Sequence, residues 1–188
     1  GDETIVLMHV GSFYEIYAIL SDDEKLGEIN IYHICQNIMN IAVAKKNMNI
    51  LMGGFQLHYS SKFIKILVDN NYTVVLVNQV SEPPNPDRQV TQIISPGTYI
   101  EDFNNDINNF MMSVYIEKVS ETFVAVGISI IDISTGKNYM YQIGDNMDPN
   151  FWKDELNRLI NYYSPREFLF QTGNMELTHH DIMNYWDI

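Results

Sequence analysis

Apolar residues near the start of the chain are grouped in short segments of the length of β-strands. The run from Thr4 to Val10 is almost continuously apolar and has the length of a strand. The segment from Phe13 to Tyr17 is also aromatic and β-prone, and only Gly11 and Ser12 separate the two. A two-residue connection that starts with glycine is typical of a type II′ turn, because glycine accepts the positive φ required there. The pattern therefore predicts a β-hairpin.

Two amphipathic helices are predicted to pack on this hairpin. After the acidic connection from Asp22 to Glu28, apolar side chains recur at i, i+3, i+4, i+7 and i+8, the spacing of a helix with one buried face. These positions are Ile31, Ile34, Cys35, Ile38 and Met39. Ser60 or Ser61 is predicted to cap a second helix. Its predicted buried face consists of Phe63, Ile66 and Leu67.

Further strands complete the first predicted domain. They are expected at Ile41 to Ala44, Ile50 to Met52, Tyr72 to Gln79, and Arg88 to Ile94. Gly53 and Gly54 follow the second of these strands, where a residue without a Cβ permits a turn or a close backbone approach. The proline-rich segment 82–87 is predicted to be a loop.

A change in composition predicts a domain border. From Glu101 to Asn109 the chain is rich in Asn and Asp and loses its apolar period, so we expect domains at 1–103 and 110–188 joined by a linker at 104–109. The second domain has the predicted order βββαβα, which is that of an α/β domain of the ribonuclease-H type. Its elements are expected at Phe110 to Glu117, Thr122 to Asp132, Lys137 to Gln142, Phe151 to Tyr162, Phe168 to Gln171, and after Thr178.

The charge of the chain is strongly acidic but uneven. A formal net charge of -13 counts against a nucleic-acid partner, because phosphate binding normally needs a basic surface. Between Ile29 and Ser81, however, the only acid is Asp69, and the local formal charge is about +3. The lysines of this segment are Lys45, Lys46, Lys62 and Lys65. They are either ordinary solvated side chains or a basic patch, and the charge alone does not decide between the two.

Composition also limits the compartment and the kinds of site. Cys35 is the only cysteine, so an internal disulfide and a metal site built on several thiolates are both excluded. No apolar stretch has the length of a membrane helix, and no basic region leads into an apolar segment at the start. We therefore expect an intracellular protein without a membrane span.

Several short motifs, in order along the chain, resemble those of the MutS family. Gly11 to Tyr17 is similar to the family's Gly-x-Phe-Tyr-Glu signature, and Met52 to His58 resembles its Met-Ala-Gly-x-Pro-x-His segment. Tyr72 to Gln79 resembles the next strand of the family, and Ile94 to Thr98 its Thr-Pro-Gly-Thr turn. Asp132 to Gly136 resembles the Asp-x-Ser-x-Gly turn of its connector domain. The resemblance implies a mixed-sheet MutS domain I followed by a partial ribonuclease-H-like connector.

The resemblance also implies a role for the first motif. Phe13 would stack on a mispaired or unpaired base from the minor groove, and Glu15 would hydrogen-bond to that base. Alternate residues of a strand share a face, so the two side chains are expected to project together. Taken without the resemblance, the same residues are a core aromatic of a hairpin and a solvated strand residue.

Other residues of the matched segments are expected near DNA. The predicted contacts to the phosphate backbone, which add salt-dependent affinity without sequence choice, are Lys45, Lys46, Lys62 and Lys65. Arg88 resembles part of a basic stretch beside the family's last strand of this domain and is a further candidate, although Asp87 lies next to it. Met52 and His58 lie in a matched segment and are further candidates, although a core methionine and a histidine at a helix start explain them equally well. The expected partner is double-stranded DNA that contains mismatches or small loops, in a compartment that holds DNA.

The chain itself is not expected to be an enzyme. It contains no Gly-x-x-x-x-Gly-Lys-Ser/Thr loop, so we expect no catalytic residues, metal or cofactor within it. The resemblance implies that ATP and Mg²⁺ are bound elsewhere in a longer, dimeric parent protein. Two rival hypotheses stay open: a MutS-like paralogue that serves protein interaction or regulation, and a nuclease that uses Asp132. A metal site at His179, His180 and Asp181 is disfavoured, because adjacent histidines of a helix point in different directions.

Overall fold

The first sheet is built on the hairpin. In the computed structural model, strand β1 (Thr4–Val10) pairs antiparallel with β2 (Phe13–Ile19), and Val10 lies opposite Phe13. Gly11 has a φ of 61° in the connection, which confirms the predicted hairpin and the reason for its glycine. The described residues are 3–20, 29–100, 108–144, 148–175 and 177–186. The predicted acidic connection and residues 104–107 of the predicted linker lie outside them.

The hairpin is the centre of a six-stranded mixed sheet. The other strands are β3 (Val43–Asn47), β4 (Ile50–Gln56), β5 (Thr73–Gln79) and β6 (Arg88–Ile94). Their order across the sheet is β3-β4-β2-β1-β5-β6. The pair β1 and β5 is parallel and the other neighbouring pairs are antiparallel. The mixed sheet expected of the first domain is therefore confirmed.

Helical segments cover one face of this sheet. They are a π-helical segment (His33–Ile38) and helix α1 (Ser60–Asp69). The expected amphipathic stripe at the first segment is buried, but the hydrogen bond from the Met39 amide to the Ile34 carbonyl, at 2.9 Å, closes a π turn instead of an α turn. The largest side chains fully buried between these segments and the sheet include Ile5, Leu7, Ile16, Ile31, Ile34 and Leu67.

The expected serine cap of α1 is wrong. A 3-10 turn (Leu57–Tyr59) runs directly into the helix, so Ser60 already has helical backbone angles of -54° and -50°. The N-cap position is therefore Tyr59, and no side chain caps this end. Phe63 and Leu67 are buried as predicted, whereas Ile64 and Val68 take the place expected of Ile66.

The two glycines after Met52 do not end their strand. β4 continues through both to Gln56, so the close approach, and not the turn, explains them. A Cβ on Gly53 would lie 2.5 Å from the Cys35 Sγ, and one on Gly54 would lie 2.9 Å from the Tyr14 carbonyl oxygen. Larger residues at these positions would push the π-helical segment or β2 away from β4.

The second unit has its own sheet and core. By packing, the chain divides into Gly1–Tyr99 and Ile100–Ile188. The second unit contains β7 (Phe110–Lys118), β8 (Val124–Asp132), β9 (Asn138–Ile143), α2 (Phe151–Tyr163), β10 (Glu167–Thr172) and α3 (His179–Trp186). The strand order is β10-β7-β8-β9, with β10 parallel to β7. The predicted βββαβα order is confirmed.

Aromatic side chains contribute to the core of the second unit. Trp152 and Trp186 are each 6% exposed, and their ring centroids lie 6.0 Å apart. The Trp186 Nε1 donates a hydrogen bond to the Lys153 carbonyl oxygen at 3.3 Å.

Within the part of the chain that the structure describes, no helix combines the length and apolar character needed to cross a membrane.

Candidate nucleic-acid interface

One face of the first sheet carries the residues of the Phe-Tyr-Glu motif. Along β2 the side chains alternate: Tyr14 and Ile16 are buried in the core, whereas Phe13, Glu15 and Tyr17 lie on the opposite face. We call this opposite face the open face. Because adjacent residues of a strand point to opposite faces, Phe13 is 40% exposed while Tyr14 is 8% exposed and belongs to the core.

The Phe13 ring lies at one end of the open face. Phe13 is the first residue of β2, directly after the hairpin turn. Its cross-strand neighbours are Val10 of β1 and Gln56 of β4. Gln56 is exposed and Val10 is half-buried, so the ring lies at the end of an internal strand between neighbours that are not fully buried.

Glu15 is held tightly although it lies on the open face. Its side chain is 14% exposed. Its cross-strand neighbours are Met8 and Gly54, and the missing side chain of Gly54 leaves room for the carboxylate. The Tyr17 hydroxyl donates a hydrogen bond to the Glu15 Oε2, and the Lys46 Nζ lies 3.4 Å from the same oxygen.

Lys46 and Tyr17 also bind each other. The Lys46 Nζ donates a hydrogen bond to the Tyr17 hydroxyl at 2.7 Å and lies 4.7 Å from the centre of its ring. Burial raises the pKa of the Tyr17 hydroxyl, and its hydrogen bond to Glu15 raises it further. The hydrogen bond with Tyr17, followed by the charge of Glu15, raises the pKa of Lys46. At neutral pH Lys46 is therefore a cation and Tyr17 a neutral phenol.

Sequence reasoning missed Tyr17 as a site residue. The signal was present, because the alternation that pairs Phe13 with Glu15 also includes Tyr17. Lys46 reaches the pair through a β-bulge, since the pairing of β3 with β4 shifts between Lys45 and Asn47. Sequence alone gives no sign of this shift.

The other lysines of the basic segment are not gathered in one place. Lys45 pairs with Leu51, whose side chain is buried in the core, so Lys45 lies on the face opposite Lys46. Lys65 forms a salt bridge with Asp69 at 3.2 Å on the surface of α1. The basic segment therefore presents fewer available charges on the open face than its sequence indicated.

His58 and Lys62 follow β4, the first in the 3-10 turn and the second in α1. The Leu57 amide donates a hydrogen bond to the Ser12 carbonyl oxygen at 3.0 Å, which fixes this segment beside the hairpin turn. The His58 ring packs on Tyr59 with a centroid distance of 4.0 Å. Lys62 is exposed, and its Nζ lies 5.4 Å from the centre of the Phe63 ring.

Arg88 lies on the other side of the hairpin. It begins β6 opposite Gln79, and its Nε donates a hydrogen bond to the His9 carbonyl oxygen at 3.2 Å. The His9 ring in turn hydrogen-bonds to the Gly11 carbonyl oxygen at 2.8 Å. The exposed Arg88 thus lies beside the hairpin turn that precedes Phe13, whereas the exposed Lys62 lies on α1, which covers the opposite face of the sheet.

The rest of the open face is mainly apolar. Met52 is half-buried on it, opposite Tyr17 and Ala44. Exposed aliphatic side chains continue the face along β1, β2 and β6. They are Val6 at 40%, Ile19 at 69%, Val90 at 59% and Ile93 at 64%.

Asp132, the residue of the rival nuclease hypothesis, is engaged in a turn of the second unit. It is 2% exposed and accepts hydrogen bonds from the Ser134 and Thr135 hydroxyls, both at 2.6 Å, and from the Asn109 and Ser134 amides. Burial alone would raise the pKa of Asp132, but these hydrogen bonds lower it to about 2. Gly136 has a φ of 72° and closes the turn. A carboxylate with this many donors stabilises the turn.

The start of α3 has a local explanation as well. The Asp181 Oδ2 accepts hydrogen bonds from the Thr178 amide at 2.9 Å and from its hydroxyl at 2.6 Å. These bonds lower the pKa of Asp181. Among the residues with described positions, no three His, Cys, Asp or Glu side chains are grouped so that they could hold a metal ion.

Comparison with known proteins agrees with the motif order. The family described as MutS domain I matches residues 1–103. A mutS homologue of Acanthamoeba polyphaga mimivirus is 31% identical over 89% of the chain. Proteins named DNA mismatch repair protein MutS from Parabacteroides distasonis and Halothermothrix orenii are 29% and 28% identical over 92% and 89% of the chain. The chain spans only 16 to 18% of the length of these three relatives. The family match and the first of these relatives together show that the chain belongs to the MutS family.

Proposed function

We propose that this chain is the mismatch-recognition module of a MutS-type DNA repair protein, in which Phe13 and Glu15 together test a base step for weak pairing. Phe13 would enter the minor groove and stack on a mispaired or unpaired base. Glu15 would accept a hydrogen bond from that base. The partner would be duplex DNA with mismatches or small loops.

The observation that carries this proposal is the exposed Phe13 ring beside an anchored carboxylate on the open face of the sheet. An inserted ring unstacks a base step at a cost of a few kcal/mol, which is lowest where pairing is already poor. Stacking of the base on the ring returns roughly 1–3 kcal/mol and tolerates any base. The pair would therefore select deformable steps without reading sequence.

Positive side chains around the hairpin would supply the affinity that is independent of sequence. Arg88 lies beside the turn and is the strongest candidate for a phosphate contact. Lys45, Lys62, Met52 and His58 are weaker candidates, because the two lysines lie towards the opposite face and the other two residues are engaged in packing. Since each phosphate contact contributes about -0.9 to the slope of log K against log salt, two or three contacts predict a slope of only about -2 to -3 from this chain.

The remaining assignments concern the longer protein. Residues 1–103 would be the mismatch-recognition domain, 104–109 a linker, and 110–188 part of the connector domain. Hydrolysis of ATP with Mg²⁺ and the dimer would belong to other regions of the parent protein, and this chain would have no catalytic residue. Such a parent would work in a compartment that holds DNA.

Fluorescence anisotropy of the full-length protein on labelled duplexes tests the proposal. The duplexes share one sequence and differ in a single mispair or a single unpaired base. We expect tighter binding to the defective duplexes by roughly 5- to 150-fold, the equivalent of about 1–3 kcal/mol. Equal binding to all duplexes, or binding to none, would refute the proposal.

A second candidate function is a protein-interaction or regulatory module that has kept the fold. The net charge of -13 favours it, as do the exposed aliphatic side chains on the open face, which suit a protein surface better than phosphates. The same anisotropy experiment separates the two, because this candidate predicts no preference for a mispair.

A further inference from the structure

We infer that Tyr17 and Lys46 are positioning residues that hold the Glu15 side chain as an oriented hydrogen-bond acceptor for a base. This inference rests on the proposed function, and it gives Lys46 a different role from the phosphate contact that its sequence indicated. It also assigns a role to Tyr17.

Both residues act on the same oxygen of Glu15. The Tyr17 hydroxyl and the Lys46 ammonium both contact Oε2. Among the described residues, no hydrogen bond joins the other oxygen, Oε1. The carboxylate therefore keeps one oxygen for an incoming donor while the second is fixed.

A single relay of hydrogen bonds joins the three side chains. Lys46 donates to the Tyr17 hydroxyl at 2.7 Å, and the same hydroxyl donates its only proton to Glu15. Because the hydroxyl donates its proton, the Glu15 Oε2 is the acceptor at the end of this relay. The positive charge of Lys46 lies 3.4 Å from the same oxygen and attracts it.

This arrangement answers a physical difficulty of the site. A carboxylate that approaches two strands of phosphates is repelled unless its charge is balanced. Lys46 supplies the balance from within the protein, and its own charge is then not free to bind phosphate strongly. The cross-strand partners of Glu15, which are Met8 and Gly54, carry no charge and cannot supply this balance.

The test is a double-mutant cycle on mismatch preference in the full-length protein. Preference is the ratio of Kd for a matched duplex to Kd for a mispaired one. We expect Tyr17→Phe to lower this ratio by about 3- to 10-fold, as loss of one hydrogen bond of ordinary net strength would. In a Glu15→Ala background, which leaves no acceptor for the Tyr17 hydroxyl, the same change should have no further effect, because Tyr17 acts through Glu15.

Lys46 provides the conservative rescue. Lys46→Met should lower the preference and also weaken binding to both duplexes, since the charge of Glu15 is then unbalanced. Lys46→Arg, which keeps the charge, should restore most of the preference. Tyr115→Phe and Lys118→Met are matched controls in the second unit, where Lys118 pairs with Glu121 at 2.9 Å. Neither control should change the ratio.

The outcomes separate this inference from the proposed function. If the unmodified protein shows no preference, the proposed function fails. If it shows a preference that Phe13→Ala removes, but Tyr17→Phe and Lys46→Met act equally with and without Glu15, only the positioning role fails. Should Tyr17→Phe fail to fold, as judged by circular dichroism, the comparison of Lys46→Met with Lys46→Arg decides the matter, and equal loss in both overturns the inference.

Discussion

Gly53 lies directly over the thiol of Cys35, and the Gly53→Ala variant tests how rigid that contact is. The ideal Cβ would lie 2.5 Å from Sγ, about 1 Å or more inside the roughly 3.5–4.0 Å of ordinary contact. Cys35 is 0% exposed, and burial raises the pKa of its thiol to about 11, so the sulfur is an uncharged packing atom. It cannot move into solvent.

The size of the effect follows from two opposing terms. Overpacking of a buried site costs about 1–3 kcal/mol. Replacement of a strand glycine by alanine returns about 0.5–1 kcal/mol, because the unfolded chain loses freedom. We therefore expect Gly53→Ala to lower the free energy of unfolding by about 1–2 kcal/mol, since the other neighbours of the new methyl, at 3.4 and 3.6 Å, are at ordinary distances.

Removal of the sulfur supplies the control. In a Cys35→Ala background the new methyl has room, so Gly53→Ala should be neutral or stabilising there. The assay is urea unfolding of the chain followed by far-ultraviolet circular dichroism, because Trp152 and Trp186 report only on the second unit. The reasoning is refuted if Gly53→Ala costs the same in both backgrounds within about 0.3–0.5 kcal/mol.

Three further predictions concern the second unit and Glu15. Asp132→Asn should cost about 2 kcal/mol of unfolding free energy at neutral pH, because it removes the charged acceptor of four hydrogen bonds. Since the pKa of Asp132 is lowered from 3.8 to about 2 in the folded state, its contribution is present above pH 4 and lost as the pH falls towards 2. Urea unfolding should show a smaller difference between wild type and variant at about pH 3 than at pH 7, and an unchanged difference would contradict the assignment. Ser164→Gly should stabilise the chain by about 0.5–1 kcal/mol in the same assay, because Ser164 ends α2 at a φ of 46°; a loss of stability would count against it. Glu15→Gln should retain or strengthen anisotropy-measured binding to matched duplex, because it removes a negative charge near phosphate, and weaker binding would show that the carboxylate attracts DNA.

Local chemistry in the sequence was enough to predict the hairpin and its alternation. Gly11 marks the turn, and period-two alternation from Phe13 then separates the exposed residues of β2 from the buried ones. The same reasoning predicted the βββαβα order of the second unit, because its strands and helices carry distinct periods. These features depend on neighbours along the chain, which a sequence displays directly.

Features that depend on contacts between distant segments were missed. The association of Lys46 with Glu15 joins residues 31 positions apart and relies on the bulge in β3. β4 runs through Gly53 and Gly54, although glycine is a poor strand former in isolation. The Cys35 sulfur leaves no room for a side chain at Gly53, and the backbone of β2 leaves none at Gly54. The serine cap failed because the 3-10 turn before Ser60 moves the helix start by one residue.

The central claim is that Phe13 supplies discrimination while positive side chains supply affinity. The most direct test is the mismatch preference of Phe13→Ala in the full-length protein, measured by anisotropy over a range of salt concentrations. Ile19→Ala is the matched control, because it removes an exposed apolar side chain from the same face of β2, about 20 Å along the strand. We predict that Phe13→Ala brings the preference close to one with the salt slope unchanged, and that Ile19→Ala keeps the preference. The account would be contradicted if the preference survives in Phe13→Ala. It would also be contradicted if Phe13→Ala removes the salt-dependent binding as well as the preference.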